Sequence, residues 1–424
     1  MRVTPTADAL GEVTSLQLYT YTQCTYEKGK AGQGSQEGWI DMKRCEYTEN
    51  GATITCWEAN VVPGYTITKL QANGTEEREL SSGITPVAGK FYNITLDKDK
   101  GYTDDGQGNY TVTSAEGLKA VADIANNGNL GINITLTENI NLTDMEWTPI
   151  GTDYNNAYTG TFDGGGHTIT GLTVTGSNDY VGLFGRIGSG GAVKNVILTE
   201  VNVTAGTSVG GIAGQNDGTV ENCSVNGTVT GRGLTDTGGI VGTNYGTISG
   251  CSAEGTVTGS VNVGGIAGGS YLGVTIEGCH STAAVSGRSS VGGVVGNLGN
   301  NSSLMASYST GNVTVTSTTG YAGGVVGVNA QGTVTACYHA TGTVSGQGNV
   351  GGIVGMNNNS GQNTACYWSS NPANGIGKMN SGTNGTIKVD GDWQNAVTQM
   401  NAALQNEGTE WRYELTGELP TLKK

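Results

Sequence analysis

Charge is scarce in this chain of 424 residues: Asp, Glu, Lys and Arg together make up 13% of it, about half the usual share. Aromatic residues are 6%, proline occurs 6 times and histidine 3 times. Sparse charge argues against ordinary disorder, which needs high polarity and high net charge. So little proline, with no three-residue period, excludes a collagen-like rod. The charges present sum to −15, which removes the basic face that nucleic acid or an anionic membrane requires. No apolar run approaches the roughly 18 residues of a membrane helix, and no signal peptide is seen. The 8 cysteines form no CxxC pair, so zinc and thioredoxin-type readings have little support. HExxH, GxxxxGK[ST] and a serine nucleophile elbow are also missing.

Glycine is what the chain has in quantity, 74 residues, mixed with the β-formers Val, Ile, Thr and Tyr. It is periodic. TGGIVG, VGGIAG, VGGVVG, AGGVVG and VGGIVG repeat one phrase, whose last glycines are Gly185 (in the variant VGLFG), Gly214, Gly242, Gly268, Gly296, Gly327 and Gly355. The steps are 29, 28, 26, 28, 31 and 28 residues. Behind each comes VENCSV, ISGCSA, IEGCHS or a relative, and then usually GTVTG or GTVSG. A propeller blade needs roughly 40 residues or more. About 28 residues with about three short strands suit one coil of a parallel β-helix, stacked at ~4.8 Å. Glycine at a ladder position then serves either φ > 0 or close backbone approach. Ile212, Ile240 and Ile266 predict one apolar row, and Ala213, Val241 and Ala267 a second. Neighbouring strand residues face opposite ways, so both rows reach the core only if the strand sits at a corner.

Cys223, Cys251, Cys279, Cys337 and Cys366 share one register, with Val196 and Ser307 filling it elsewhere. That predicts a buried column of small side chains rather than disulfides, because stacked coils stand wider than the ~3.8 Å between Cβ atoms that a bridge needs. Thr228-Val229-Thr230 and its copies put Val inward and hydroxyls outward. Ser114 reads as the N-cap of a helix with Leu118, Val121, Ala122 and Ala125 on one face, stopped by Asn-Asn-Gly. Asp392 caps a second helix, with Trp393, Ala396, Val397, Met400 and Leu404 on its buried face. Both are expected to cap or flank the solenoid. Near the start, Cys45 and Cys56 flank Asn50-Gly51, a strong hairpin turn; a disulfide and free thiols both remain open.

The order SAEGLKAVADIAN, ITLTENINL, EWTPIG, GTFDGGGHTITGL, VGLFG, GG[IV][AV]G and DWQNAVTQMNAAL resembles the GLUG-repeat proteins of bacterial cell surfaces, over roughly residues 102–424. The resemblance implies a parallel β-helix displayed outside the cell, usually without catalysis. The repeat also occurs as an accessory module in large surface proteins, IgA-cleaving metallopeptidases among them. ITPVAGKFYNITLDK (84–98) looks like the closing strands of fimbrillin-like domains, a shorter match that implies a fimbria-associated adhesin.

The chain is therefore expected to be all-β. A small β-sandwich-like domain would cover 1–100, a parallel β-helix 101–390 with repeats at about 180–370, and a C-terminal helix and capping segment 391–424. No catalytic or metal-binding residue is assigned and no cofactor is implied. A polysaccharide-cleaving β-helix would need grouped outward carboxylates. Glu221 and Glu277 share a register two coils apart, roughly 10 Å, so surface acids are the better reading. Asp153 and Asp163 are too few for calcium, which wants six or more oxygens. Aromatic faces pack on sugar rings, and Tyr154, Tyr158, Tyr245 and Tyr271 are the candidate ligand-binding residues. The expected function is a non-enzymatic surface adhesin or display protein. Its partners would be a host or microbial glycan or protein, with fimbrial subunits added by the second resemblance. It would be secreted or anchored to the outer membrane through a leader not present in this chain. The alternatives are a polysaccharide lyase or glycoside hydrolase and a purely structural stalk.

Overall fold

A computed structural model describes residues 1–6, 9, 13–27, 30–96, 100–176 and 179–424. It divides into two compact units, residues 1–100 and 101–424. The first unit holds two four-stranded sheets. One runs Lys43–Glu49, Ala52–Glu58, Arg2–Pro5, Asn93–Leu96; the other runs Lys30–Asp41, Leu16–Glu27, Ile67–Ala72, Glu76–Ile84. Val3, Leu16, Leu18, Trp57, Ile67, Leu70 and Ile94 from both sheets share one core. Asn50 and Gly51 take φ of 50° and 81°. These are the two positive φ values that a type I′ turn demands.

The second unit is a parallel β-helix. Among the described residues its coils build sheets of 11, 14, 7 and 8 strands, beside a two-stranded hairpin near the C-terminus, so a full coil has four strand positions where three were expected. The additional position holds Thr207–Val209, Asp236–Gly238, Asn262–Gly264 and their successors. These segments are three residues long, too short to show an alternation in the sequence. After each comes the glycine phrase, then a strand such as Ala213–Asn216, then Thr219–Glu221 and Ser224–Gly231, and the next coil begins.

None of the phrase glycines has positive φ; all are there for close approach. A Cβ on the first (Gly238, Gly264, Gly292) would meet the carbonyl three residues onward at less than 3.0 Å. On the second (Gly239, Gly265, Gly293) it would meet the carbonyl of the equivalent glycine one coil along. On the third it would strike the additional strand of the preceding coil, as Gly242 would strike the Val209 nitrogen at 2.5 Å. Because the chain folds this sharply, Ile212 and Ala213, like Ile240 and Val241, are all 0% exposed. The strand does sit at a corner, and both apolar rows enter the core.

Ser224, Ser252, His280, Tyr308, Tyr338 and Tyr367 are in register, and the residues just before them form a column. Cys223, Cys251, Cys279, Cys337 and Cys366 in it are buried free thiols. The Cys251 amide donates to Cys279 Sγ (3.4 Å) and the Cys279 amide to Ser307 Oγ (3.2 Å). One residue earlier runs a left-handed corner column, Asn195, Asn222, Gly250, Gly278, Ala306, Ala336 and Ala365, with φ between 45° and 65°.

Helix α1 (Ala115–Asn126) starts on Ser114, whose Oγ accepts the Gly117 amide at 3.1 Å. It buries Leu118, Val121, Ala122 and Ala125 against Val112, Ile134 and Leu142 at the first coils. Helix α2 (Gln394–Glu407) does bury Trp393, Ala396, Val397, Met400 and Leu404. It lies along the side of the column, however, and does not close its end. Its apolar face packs on Ala306, Ala336, Tyr338 and Tyr367. Trp411, just beyond it, covers Gly278. Asp392, the expected cap, sits one residue ahead of the observed one: it accepts the Gln394 amide at 2.9 Å, while Trp393 occupies the cap position.

Candidate functional site

The turn that follows each middle strand places Asp217, Tyr245 and Tyr271 at equivalent positions of three successive coils, one residue beyond Asn216, Asn244 and Ser270, which are paired. Stacking by register brings the Tyr245 and Tyr271 rings to 5.8 Å, tilted by 39°. Gly269 is in register with Gln215, Thr243 and Asn297 on the outward row. A Cβ there would occupy the place of the Tyr271 ring. The missing side chain lets that ring lie across the surface toward the neighbouring strand.

There it meets Asp236. The Asp236 carboxylate accepts hydrogen bonds from Asn262 Nδ2 (2.7 Å), Thr243 Oγ1 (2.9 Å) and the Tyr271 hydroxyl (3.3 Å). Asn262 also donates to the Tyr271 hydroxyl oxygen at 3.1 Å. Burial pushes the Asp236 carboxyl above the usual carboxylate range, and its three neutral donors offset only part of that. Burial likewise raises the Tyr245 and Tyr271 phenols, with the Asp236 charge adding to both.

The strip continues along the axis. Asp217 pairs with Arg186 at 2.9 Å and accepts from Gln215 Nε2 at 3.0 and 3.1 Å. The Arg186 guanidinium lies 4.4 Å from the centroid of the Tyr154 ring, and Tyr154 is 75% exposed. Three of the four candidate tyrosines thus line one lateral strip. The fourth is a correction: Tyr158 is 0% exposed, packs its ring on Phe184 at 5.2 Å, and donates its hydroxyl to the Ile132 carbonyl at 2.8 Å. It is core. Its period-two neighbours Asn156 and Gly160 gave no apolar alternation from which burial could be read. Asp236, Asn262 and Arg186 were missed because each is a single polar residue in a segment of low complexity; only the register of the coils makes them neighbours.

The carboxylates weighed for catalysis or metal are engaged elsewhere. Glu221, Ser249 and Glu277 follow one another in register, and Glu277 accepts from Thr409 Oγ1 at 3.1 Å. Asp153 accepts the Asn155 and Asn156 amides of its own loop. Asp163 holds Lys194 (3.3 Å), Asn195 Nδ2 (3.0 Å) and the Gly165 amide (2.9 Å). Two of the three histidines lie against the column. His280 stacks on Tyr308 at 5.0 Å. His339 is 0% exposed and donates Nε2–H to the Gly342 carbonyl at 3.0 Å.

The GLUG motif family matches residues 205–230 and 233–258. Halomucin from Haloquadratum walsbyi is 47% identical over 81 residues, 19% of this chain and 1% of that protein. A "Putative Gly-rich membrane protein" of Evansella cellulosilytica is 37% identical over 105 residues, 22% of this chain and 12% of that protein. The chain thus spans a small part of the length of these relatives. A crystal structure from Bacteroides ovatus, described as a "putative immunoglobulin A1 protease", aligns over 77% of this chain and 94% of its own, with 21% identity and a TM-score of 0.49. The two matched stretches are each one coil with the glycine phrase and the cysteine register, so these two coils are GLUG motifs.

Proposed function

We propose that the chain is a non-enzymatic surface display protein that holds a glycan on the strip from Tyr154 to Tyr271. The observation that carries this reading is the ring pair Tyr245–Tyr271 at 5.8 Å, set beside the amides and hydroxyls of Asn262, Gln215 and Thr243. Flat aromatic faces supply apolar contact to a sugar ring, and the flanking side chains, spent on Asp217 and Asp236, hold the strip rigid beneath them. The carboxylates support a binding reading over a cleaving one. Asp236 is held by three donors, Asp217 is held by Arg186, and Glu221 and Glu277 are separated by a whole coil. A glycosidase needs two free carboxyls ~5–9.5 Å apart. A surface location is supported by the membrane description of one relative. Anchorage at the outer membrane, and fimbrial subunits as neighbours, belong to the same reading.

Binding of the full chain to a glycan array tests it. Tyr245→Ala and Tyr154→Ala should each weaken the signal about 3- to 10-fold, the worth of one aromatic contact, with the far-ultraviolet spectrum unchanged. An array without signal would leave a structural stalk as the reading.

A further inference from the structure

The hairpin of the first unit carries a pair of thiols that the strip does not use. Its two-residue turn fixes the register, and Cys45 stands directly opposite Cys56. Cys56 is 0% exposed and Cys45 is half-buried. The two Sγ atoms and a carboxylate oxygen of Glu58 all lie within 4.8 Å of one another. Cys45 Sγ donates to the Lys43 carbonyl at 3.1 Å. It also lines a cavity of about 460 Å³, with Lys43, Glu58, Asn60 and Phe91 among the other walls.

Such a cluster offers either a soft-metal site or thiol chemistry, and its charge decides between them. Glu58 is already held by Arg2, at 2.7 Å from Nε and 2.6 Å from the terminal nitrogen. Lys43 faces Glu58 in register. A metal ion would enter between two cations and compete for an occupied carboxylate. Thiol exchange needs no ligand from that carboxylate. The two sulfurs already lie within 4.8 Å of one another across one hairpin pair, and its two strands can draw together toward the ~3.8 Å Cβ spacing of a disulfide, whereas each column thiol is fixed by ladders to the coils on either side. The bond therefore closes with a small local strain and is readily reduced.

We propose that Cys45 and Cys56 form a reversible dithiol–disulfide couple, and that the cavity admits a low-molecular-weight disulfide such as oxidised glutathione as its exchange partner. Cys45 gives its proton to water, and its thiolate attacks one sulfur of the small disulfide. The old S–S bond breaks, and one glutathione leaves as thiolate and takes up a proton. Cys56 then loses its proton and attacks the Cys45 sulfur, expelling the second glutathione. Two protein thiols are oxidised and one small disulfide is reduced to two thiols. Exposure sets the order: Cys45 reacts first and Cys56 resolves. Burial raises the Cys56 thiol, with the Cys45 neighbour adding to it and Arg2 opposing it. Cys223, Cys251, Cys279, Cys337 and Cys366 are sealed in the column at no more than 1% exposure and act as internal controls.

Peptide mapping by mass spectrometry of the native full chain, treated with oxidised glutathione near pH 8, tests the couple. The expected product is a peptide joining Cys45 to Cys56, reversed by reduced glutathione, with the column thiols untouched. Cys56→Ala should accumulate a glutathione adduct on Cys45; Cys45→Ala should leave Cys56 unmodified. Wild-type protein that keeps both thiols free, or that joins Cys45 to Cys24, would overturn the proposal. So would one Zn²⁺ per chain binding at this pair and blocking exchange.

Discussion

Gly242 has no backbone need for glycine, since its φ is not positive; what it needs is the missing Cβ. An added methyl would meet the Val209 nitrogen at 2.5 Å, and that nitrogen is fixed within a sheet. Gly242→Ala should therefore cost about 3 kcal/mol, the upper range for overpacking a rigid site. Gly417→Ala, where the space is open, should leave the denaturation midpoint unchanged. His339 makes a second residue-scale prediction. Burial holds its pKa down at about 4, against about 6.5 in the unfolded chain. Below pH 6.5 the unfolded chain takes up a proton that the folded imidazole refuses. Stability from this group is complete above 6.5 and fades as pH falls toward 4, by roughly 3 kcal/mol in all. Asp236, with its raised carboxyl, acts in the opposite sense, so the comparison needed is wild type against His339→Gln at each pH. A difference that does not change between pH 7 and pH 4 would contradict this assignment.

At the scale of the element, the left-handed corner column and α2 explain one another. The column reads Asn, Asn, Gly, Gly, Ala, Ala, Ala along the axis. Its small residues stand where the C-terminal segment covers it: α2 over the alanines and Trp411 over Gly278. Tyr413 adds hydrogen bonds from its hydroxyl to the carbonyls of Ala336 (3.0 Å) and Ser307 (3.3 Å). Gly278→Ala would place a methyl inside the Trp411 ring, at a φ of 63° that itself disfavours alanine by about 1–2 kcal/mol. Proteolysis of the native protein after residue 408 should accelerate, while the column itself stays resistant. Much of this was legible beforehand. The Ser114 cap, the thiol column and the inward Val229 and Val257 follow from local chemistry and period. The side-on seat of α2 was not, because a helical stripe states that a face is buried and leaves its partner unnamed. The fourth strand position was missed for a related reason. Segments such as Asp236–Gly238 carry almost no side-chain pattern, and it is the fold around them that makes them strands. The tyrosine strip was half legible: Tyr245 and Tyr271 share a position in the repeat, but Asp236 and Asn262 join them only through three-dimensional register.

At the scale of the solenoid unit, stability is a sum over neighbouring coils, and the two ends differ. The first coils are covered by α1, with Leu118 and Val121 at 0% exposure. Among the described residues, the final strands Ile376–Met379 and Thr386–Lys388 each pair on one side. Met379 and Ile387 there are 45% and 53% exposed. A coil with a neighbour on both sides opens only by breaking two ladders, whereas the last coil breaks one. Hydrogen exchange followed by mass spectrometry should therefore show a graded profile along the axis. Peptides from 374–390 should exchange first, those from 349–368 next, and those from 236–298 last. Residues 109–142, held under α1, should remain close to the central value. Gly268→Ala, by weakening one central interface, should raise exchange in the coils on both sides of it and leave 109–142 protected. Uniform exchange along the axis in the wild type would mean that the column opens as a single unit, and the nearest-neighbour account of its stability would fail.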